Sequence, residues 1–120
     1  MAVIISNEQE IVKIPADWTG KINKVVEICL QKEDIDPKAE VSLLFVDNES
    51  IRAFNQQYRQ KDVATDVLSF PMYEADEPID DEEEILFGDI IISLERAQEQ
   101  AIDYQHSLER EVMYLLVHGL

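Results

Sequence analysis

Short apolar runs, rich in β-branched and aliphatic residues, alternate along the chain with segments of helical periodicity. The runs predict four strands, at Ala2–Ser6, Glu40–Asp47, Thr65–Phe70 and Ile85–Ser93. The second run has an almost continuous apolar centre, which is typical of a strand buried on both faces. Within the fourth run, Gly88 indicates a bulge or a close approach of another backbone.

Each segment of helical periodicity follows a residue that can cap a helix. The four predicted caps are Asp17, Asp47 or Asn48, Ser93, and Ser107. The first helix runs to about Lys32, because its apolar residues recur every three or four positions. In the last helix, Glu109 and Glu111 of the first turn suit the helix dipole.

This order of elements predicts the fold class. We expect one α+β domain over residues 1–120, in which a small mixed four-stranded sheet packs with about four helices. A loop, not a helix, joins the third and fourth strands, so these two can pair antiparallel. The other connections pass through helices and favour parallel neighbours.

Composition places the chain among globular proteins. The hydrophobic fraction of 46% argues against disorder of the whole chain, and no apolar run approaches the ~20 residues that span a bilayer. The amino terminus has neither a basic region nor a long apolar stretch, so we read no secretory signal there. Cys29 stands alone among aliphatic residues and is interpreted as a buried thiol. These features favour a reduced, cytoplasmic setting without a membrane partner.

The formal charge of −16 at first argues against a nucleic-acid partner, because phosphate binding needs basic groups. Half of that charge lies in one predicted acidic loop, residues 74–84, which holds eight acidic residues and no basic one. Exposed charges are screened beyond ~8–10 Å at physiological salt, so a basic cleft elsewhere can coexist with this loop. Global charge therefore does not exclude a nucleic-acid partner.

The last helix carries the most informative residue, His118. From spacing alone, this histidine is interpreted as a buried or interface residue with one hydrogen bond. The apolar face of the helix is still running at Leu120, and no terminating motif follows. We therefore expect that the chain lacks a carboxyl-terminal segment.

Three motifs, taken together, resemble the YbeY family of endoribonucleases. They are N-x-x-Y-R-x-x-D-x-x-T-D-V-L-S-F-P at residues 55–71, G-D-I-x-I-S at residues 88–93, and the opening of H-G-x-L-H-L-x-G-Y-D-H at His118. The resemblance spans residues 55–120, and the preceding strand–helix–strand order also suits the family. It implies a metal site at the last helix.

The resemblance implies a zinc ion held by three histidines, of which His118 is the first. The other two are expected four and ten residues later, beyond Leu120, so we expect the 120-residue chain itself to bind zinc weakly and to be inactive. Arg59 matches the arginine of the motif and is implied to act in catalysis, by gripping a phosphate. Without the resemblance, a salt bridge from Arg59 to Asp62 is the alternative.

Four further polar residues are candidates of lower rank. Asp66 and Asp89 occupy strand positions where acids are uncommon, and satisfying buried amide groups is favoured over orienting a metal ligand. Ser69 is interpreted as a sheet residue and not as a nucleophile. His106 is expected to be solvent-exposed at the turn between the last two helices.

The implied activity is zinc-dependent cleavage of single-stranded RNA, in maturation of the 3′ end of 16S ribosomal RNA and in ribosome quality control. The implied partners are ribosomal RNA, the small ribosomal subunit and assembly factors; the oligomeric state stays open. One alternative is a non-catalytic binding module for ribosome assembly. Another is a zinc peptidase, which is disfavoured because Gly119 stands where such enzymes need a glutamate base.

Overall fold

The computed structural model describes residues 2–32, 39–71 and 85–120. Their elements in chain order are β1 (Ala2–Asn7), α1 (Trp18–Lys32), β2 (Ala39–Val46), α2 (Asn48–Arg59), β3 (Val67–Pro71), β4 (Ile85–Ser93), α3 (Leu94–Asp103) and α4 (Leu108–Gly119). The acidic segment at 74–84, predicted as a loop, lies outside the described residues. Among those that are described, no helix has both the length and the apolar character needed to cross a bilayer.

The strands form one mixed sheet in the order β1-β2-β4-β3. β1 pairs parallel with β2, and β2 pairs parallel with β4, as their helical connections predicted. β3 pairs antiparallel with β4, as the predicted loop between them allowed. The α+β prediction is therefore confirmed, and β3 is an edge strand of this sheet.

The glycine in β4 marks the predicted irregularity. Glu40 of β2 lies opposite Leu86, whereas the next residue, Val41, lies opposite Gly88, so the register skips one residue of β4. A skipped residue of this kind is a β-bulge, which bends a strand and increases its twist. The residues that follow Gly88, starting with Asp89, then pair regularly with β2.

Helices cover both faces of the sheet, which explains why β2 is apolar on both sides. One face carries the larger core, where α1, α3 and α4 pack on alternate residues of the strands, including Leu43, Phe45, Ile90 and Ile92. On the opposite face α2 packs through Ile51 and Phe54 on a smaller cluster that contains Val46, Leu68 and Ile91. The sheet therefore separates α2 from α4.

Three of the predicted helix caps form as expected. The side chains of Asp47, Ser93 and Ser107 accept hydrogen bonds from the backbone N–H groups of Ser50, Arg96 and Arg110, respectively. Asp17 also stands directly before its helix, but its carboxylate forms an ion pair with Lys21 at 3.0 Å.

Two predictions about burial are wrong. His106 is not solvent-exposed: only 19% of its side chain is accessible, and its Nε2 lies 2.5 Å from Oε2 of the buried Glu111. The turn brings the imidazole inward because Gln105 adopts a left-handed conformation, with φ of 57°, just before it. Cys29 is half-buried, not fully buried, because it lies at the margin of the α1 face that packs on the core.

Candidate active site at the edge strand

His118 lies in the last turn of α4 and is exposed to solvent, so the interpretation as a buried histidine is wrong. Its ring stacks nearly parallel on Tyr114, one turn earlier, with the ring centroids 6.3 Å apart and the planes at 5°. Within residues 2–32, 39–71 and 85–120, neither imidazole nitrogen takes part in a hydrogen bond or an ion pair. The nitrogens are therefore available to a ligand.

The end of α4 is fixed against β3 by the residue after His118. The hydroxyl of Ser69 donates a hydrogen bond to the carbonyl of Gly119 at 2.7 Å. A Cβ added at Gly119 would lie 3.3 Å from both Ile90 Cγ2 and Val67 Cγ2, closer than most such contacts. The glycine thus permits the helix end to approach the sheet, and this approach sets the position of His118.

Arg59, the last residue of α2, is exposed. The predicted alternative, a salt bridge to Asp62, is wrong, because Arg52 occupies that carboxylate through Nε–Oδ1 at 2.7 Å and a second bond of 3.1 Å. The hydrogen bond from Arg52 lowers the pKa of Asp62 below its ordinary value. Among the described residues, neither Arg59 nor the nearby Lys61 forms an ion pair, so both cations are free to bind an anion.

The backbone that carries these two cations is held by a buried side chain. Asn55 donates from Nδ2 to the carbonyl of Val63 at 2.9 Å, and its own carbonyl accepts from the N–H of Lys61 at 3.3 Å. Gln60 closes the helix in the left-handed region with φ of 58°. The turn after α2 is therefore ordered. Lys61 was not among the candidates predicted from the sequence, and only its place in this turn indicates a role for its charge.

The ends of α2 and α4 meet at successive residues of β3. Tyr58 of α2 packs edge-on against Phe70, with the ring centroids 5.5 Å apart, whereas Ser69 bonds to α4. Successive side chains of a strand point to opposite faces. Arg59 and His118 thus flank the same edge strand from its two sides.

The two strand aspartates have different surroundings. The carboxylate of Asp66 accepts from the N–H of Val67 at 2.8 Å and from Nε2 of Gln100 at 3.2 Å, which agrees with the structural role favoured for it. Asp89 is half-buried on the α2 face and lines a cavity there. Among the described residues, neither carboxylate forms a hydrogen bond or an ion pair with His118.

A three-ligand metal site is not complete within the residues that the structure describes. No group of three histidine, cysteine, aspartate or glutamate side chains lies close enough together to hold an ion there. His118 supplies one free imidazole, and His106 is already bonded to Glu111. The described residues therefore do not fit a zinc cage by themselves.

The fold and the site define a small α+β protein with an available guanidinium and an available imidazole at one edge strand. The model of the family described as endoribonuclease YbeY matches residues 4–120. The chain is 50% identical over 120 residues to an endoribonuclease YbeY of Alkaliphilus oremlandii, covering 100% of this chain and 79% of that protein. It is 46% identical over 121 residues to the endoribonuclease YbeY of Clostridioides difficile, covering 100% and 78%. The chain belongs to the YbeY family.

A solved structure supports the same assignment at the level of the fold. The solution structure of TM1509 from Thermotoga maritima superposes with a TM-score of 0.66 at 26% sequence identity. The match covers 98% of this chain and 68% of that one. The sheet and helices described above are therefore shared with a solved protein.

Proposed function

We propose that this protein is a zinc-dependent endoribonuclease that cleaves single-stranded RNA, acting in maturation of the 3′ end of 16S ribosomal RNA and in ribosome quality control. One observation carries the proposal: Arg59 and His118 flank β3, each without a polar partner among the described residues, in a family whose relatives are named endoribonucleases. An exposed cation and an exposed imidazole fixed by neighbouring residues of one strand suit a substrate that carries a phosphodiester.

Arg59 is the residue to which we assign the phosphate. A guanidinium offers parallel N–H donors that match two oxygens of a phosphate, and its charge opposes the charge that develops as the phosphoryl group is attacked. Lys61, two residues further, adds a second positive charge on the same ordered turn. These two cations give an acidic protein a local site for RNA, because the charge of the remaining surface is screened beyond ~8–10 Å.

His118 is assigned as one zinc ligand, with two further histidines expected four and ten residues later, beyond Leu120. A zinc ion held there would supply an activated water for attack on the phosphodiester at neutral pH. With a single imidazole, the 120-residue chain would hold zinc weakly and would cleave RNA slowly or not at all. In this proposal, the end of α4 positions the imidazole of His118, and Arg59 binds the phosphate.

The peptidase alternative meets a steric objection besides the chemical one. Gly119 follows His118, and even a Cβ there would lie 3.3 Å from two methyl groups of the core. A glutamate at this position would require the side chains of Ile90 and Val67 to shift by a few tenths of an ångström. Because the residue after His118 is a glycine, the general base that a peptidase of this kind requires is not supplied at this position.

The test is cleavage of a labelled single-stranded RNA that contains the precursor 3′ end of 16S RNA, by the 120-residue chain and by the chain with its genomic continuation, with and without added zinc. We expect cleavage by the extended chain only, and a loss of about 100-fold on Arg59→Ala, the scale for removing one donor to the transition state. The matched control is Arg110→Ala, because Arg110 is also exposed and lies near the other end of α4 from His118. Unchanged cleavage by Arg59→Ala, or hydrolysis of casein in place of RNA, would overturn the proposal.

The proposed partners are the small ribosomal subunit and its assembly factors, in the cytoplasm. Co-sedimentation of the extended chain with small subunits measures this association separately from cleavage. If Arg59→Ala abolishes cleavage and leaves co-sedimentation intact, the protein is an enzyme that also docks on the subunit. If the parent protein sediments with subunits but never cleaves RNA, a non-catalytic assembly module is the correct description.

A further inference from the structure

A cavity of about 490 Å³ opens on the α2 face of the sheet, away from His118. Its walls include three aromatic side chains, one of which is a tyrosine, and its other polar residues are a serine and an aspartate: Phe54, Tyr58, Phe70, Ser42 and Asp89. The volume lies within the ~300–1,000 Å³ typical of pockets that bind small molecules, and an apolar lining with few polar groups is typical of such pockets. The proposed contact between Arg59 and a phosphate does not involve this cavity.

The polar groups of the cavity lie side by side on its floor. Ser42 of β2 and Asp89 of β4 are direct partners in the parallel register, so their side chains project from the same face. Asp89 is half-buried, and within the described part of the chain its carboxylate takes part in no hydrogen bond or ion pair. A carboxylate offers acceptors only, so it selects a ligand with N–H or O–H donors and repels a phosphate.

The aromatic walls suit a flat ligand. Phe54 and Tyr58 stack with centroids 6.2 Å apart and planes at 15°, and Tyr58 meets Phe70 edge-on. Tyr58 remains 58% exposed, so much of its ring is open to a partner. Stacking of a base on an exposed aromatic ring is a common contribution to the binding of single-stranded RNA.

The charges near the cavity favour a nucleotide over a cationic side chain as its ligand. Tyr58 is followed directly by Arg59, so the aromatic wall adjoins a free guanidinium, whereas the floor holds a free carboxylate. A nucleotide carries a negative phosphate next to a base with N–H donors and matches both charges. An arginine or lysine of a protein partner would be attracted by Asp89 and repelled by Arg59 and Lys61.

We propose that this cavity is a base-binding subsite for one nucleotide of the RNA next to the phosphate held by Arg59, and that it prefers guanine. The proposal rests on the function proposed above. Guanine presents two adjacent donors, N1–H and the N2 amino group, to the two oxygens of Asp89. Adenine and cytosine place a single amino group beside an acceptor that the carboxylate repels, and uracil has one N–H between two carbonyls.

The test is equilibrium binding of short fluorescent RNAs, equal except for one central guanosine, inosine or adenosine, by the 120-residue chain at fixed salt. Replacing guanosine by inosine removes one donor from the ligand and leaves the protein unaltered, and we expect about tenfold weaker binding. Asp89→Asn should abolish the difference between guanosine and inosine, and Tyr58→Leu should weaken all three RNAs by about tenfold, equivalent to ~1.4 kcal/mol. Asp103→Asn and Tyr104→Leu are matched controls, since both residues are exposed and lie at the end of α3.

The outcomes separate the subsite from the function on which it rests. If the parent chain binds guanosine and inosine RNAs equally, the subsite is wrong, and the proposed nuclease stands or falls by its own cleavage assay. If the parent binds no RNA at any salt concentration while the extended chain cleaves it, the subsite is also wrong. If an arginine-rich peptide binds in a manner that Asp89→Asn abolishes, and the guanine preference is absent, the cavity serves a basic protein instead. Folding of each variant is verified by circular dichroism.

Discussion

The pair formed by His106 and Glu111 predicts a large and selective loss of stability. Glu111 is 2% exposed in the first turn of α4, and the imidazole of His106 is the only described partner of its carboxylate, at 2.5 Å. His106→Ala removes this partner and leaves a buried carboxylate unsatisfied. Breaking a buried pair from one side usually costs several kcal/mol, because the remaining group keeps its desolvation penalty.

The expected magnitude follows from the exposure of the two partners. A fully buried pair would lose ~3–5 kcal/mol, but 19% of the His106 side chain is accessible, so its removal admits water to Glu111. We therefore expect about 2–3 kcal/mol and a fall in Tm of roughly 8–12 °C, taking ~4 °C per kcal/mol for a domain of this size. Replacing both residues by apolar ones, His106→Leu with Glu111→Met, should stay within ~1 kcal/mol of the parent, because no charge is then buried.

The assay is urea denaturation followed by circular dichroism, with the free energy of unfolding compared at equal slope. His118→Ala is the matched control, since His118 is the other histidine of the chain, is exposed and, among the described residues, has its one ring contact with Tyr114; it should cost less than ~0.5 kcal/mol. The reasoning is refuted if His106→Ala costs no more than this control. It is equally refuted if the double variant loses the sum of the losses measured for His106→Leu alone and Glu111→Met alone, because the two residues would then be independent.

Two further predictions concern the ends of α2 and α4. Folding lowers the pKa of Asp47 through its hydrogen bonds to Ser50. The ionised cap therefore stabilises the folded protein at pH values above 3.8, the ordinary pKa of the group. This contribution is lost as the pH falls through the lower folded-state pKa. Asp47→Asn should keep the cap without that pH dependence in acid titrations of stability, whereas Asp47→Ala should cost ~1 kcal/mol at neutral pH. Ser69→Ala should cost ~0.5–1 kcal/mol and speed hydrogen exchange of the Leu120 amide, and exchange as slow as in the parent would contradict a role for Ser69 in fixing α4.

Most of the architecture could be predicted because the signals that specify it are local. A two-residue or a three-to-four-residue apolar period distinguishes strands from helices within a dozen positions. The type of connection then decides the pairing: a helix between strands favours a parallel neighbour, as between β1 and β2, and a loop permits the antiparallel pair of β3 and β4. The caps at Asp47, Ser93 and Ser107 were also predictable, since each bonds within three residues of itself.

The contacts that escaped prediction are those that depend on how elements dock. Ser69 and Gly119 are 50 residues apart, and nothing near either one indicates the bond between them. The partner of Asp62 is Arg52 and not the closer Arg59, because the left-handed turn at Gln60 redirects the chain after α2. Sequence spacing alone favours the nearer charge, whereas the turn geometry decides the pair.

The edge strand β3 explains why the candidate site depends on the spacing of residues within the motif at 55–71. Ser69 bonds to α4 on one face and Phe70 contacts Tyr58 of α2 on the other, so the positions of His118 and Arg59 depend on adjacent residues of β3. A shift of one residue in the register of a strand moves every side chain to the opposite face. Such a shift in β3 would release both helix ends at once. Asp66 opposes it, because its carbonyl accepts from the N–H of Ser93 at 3.0 Å and its carboxylate holds the first residue of the strand.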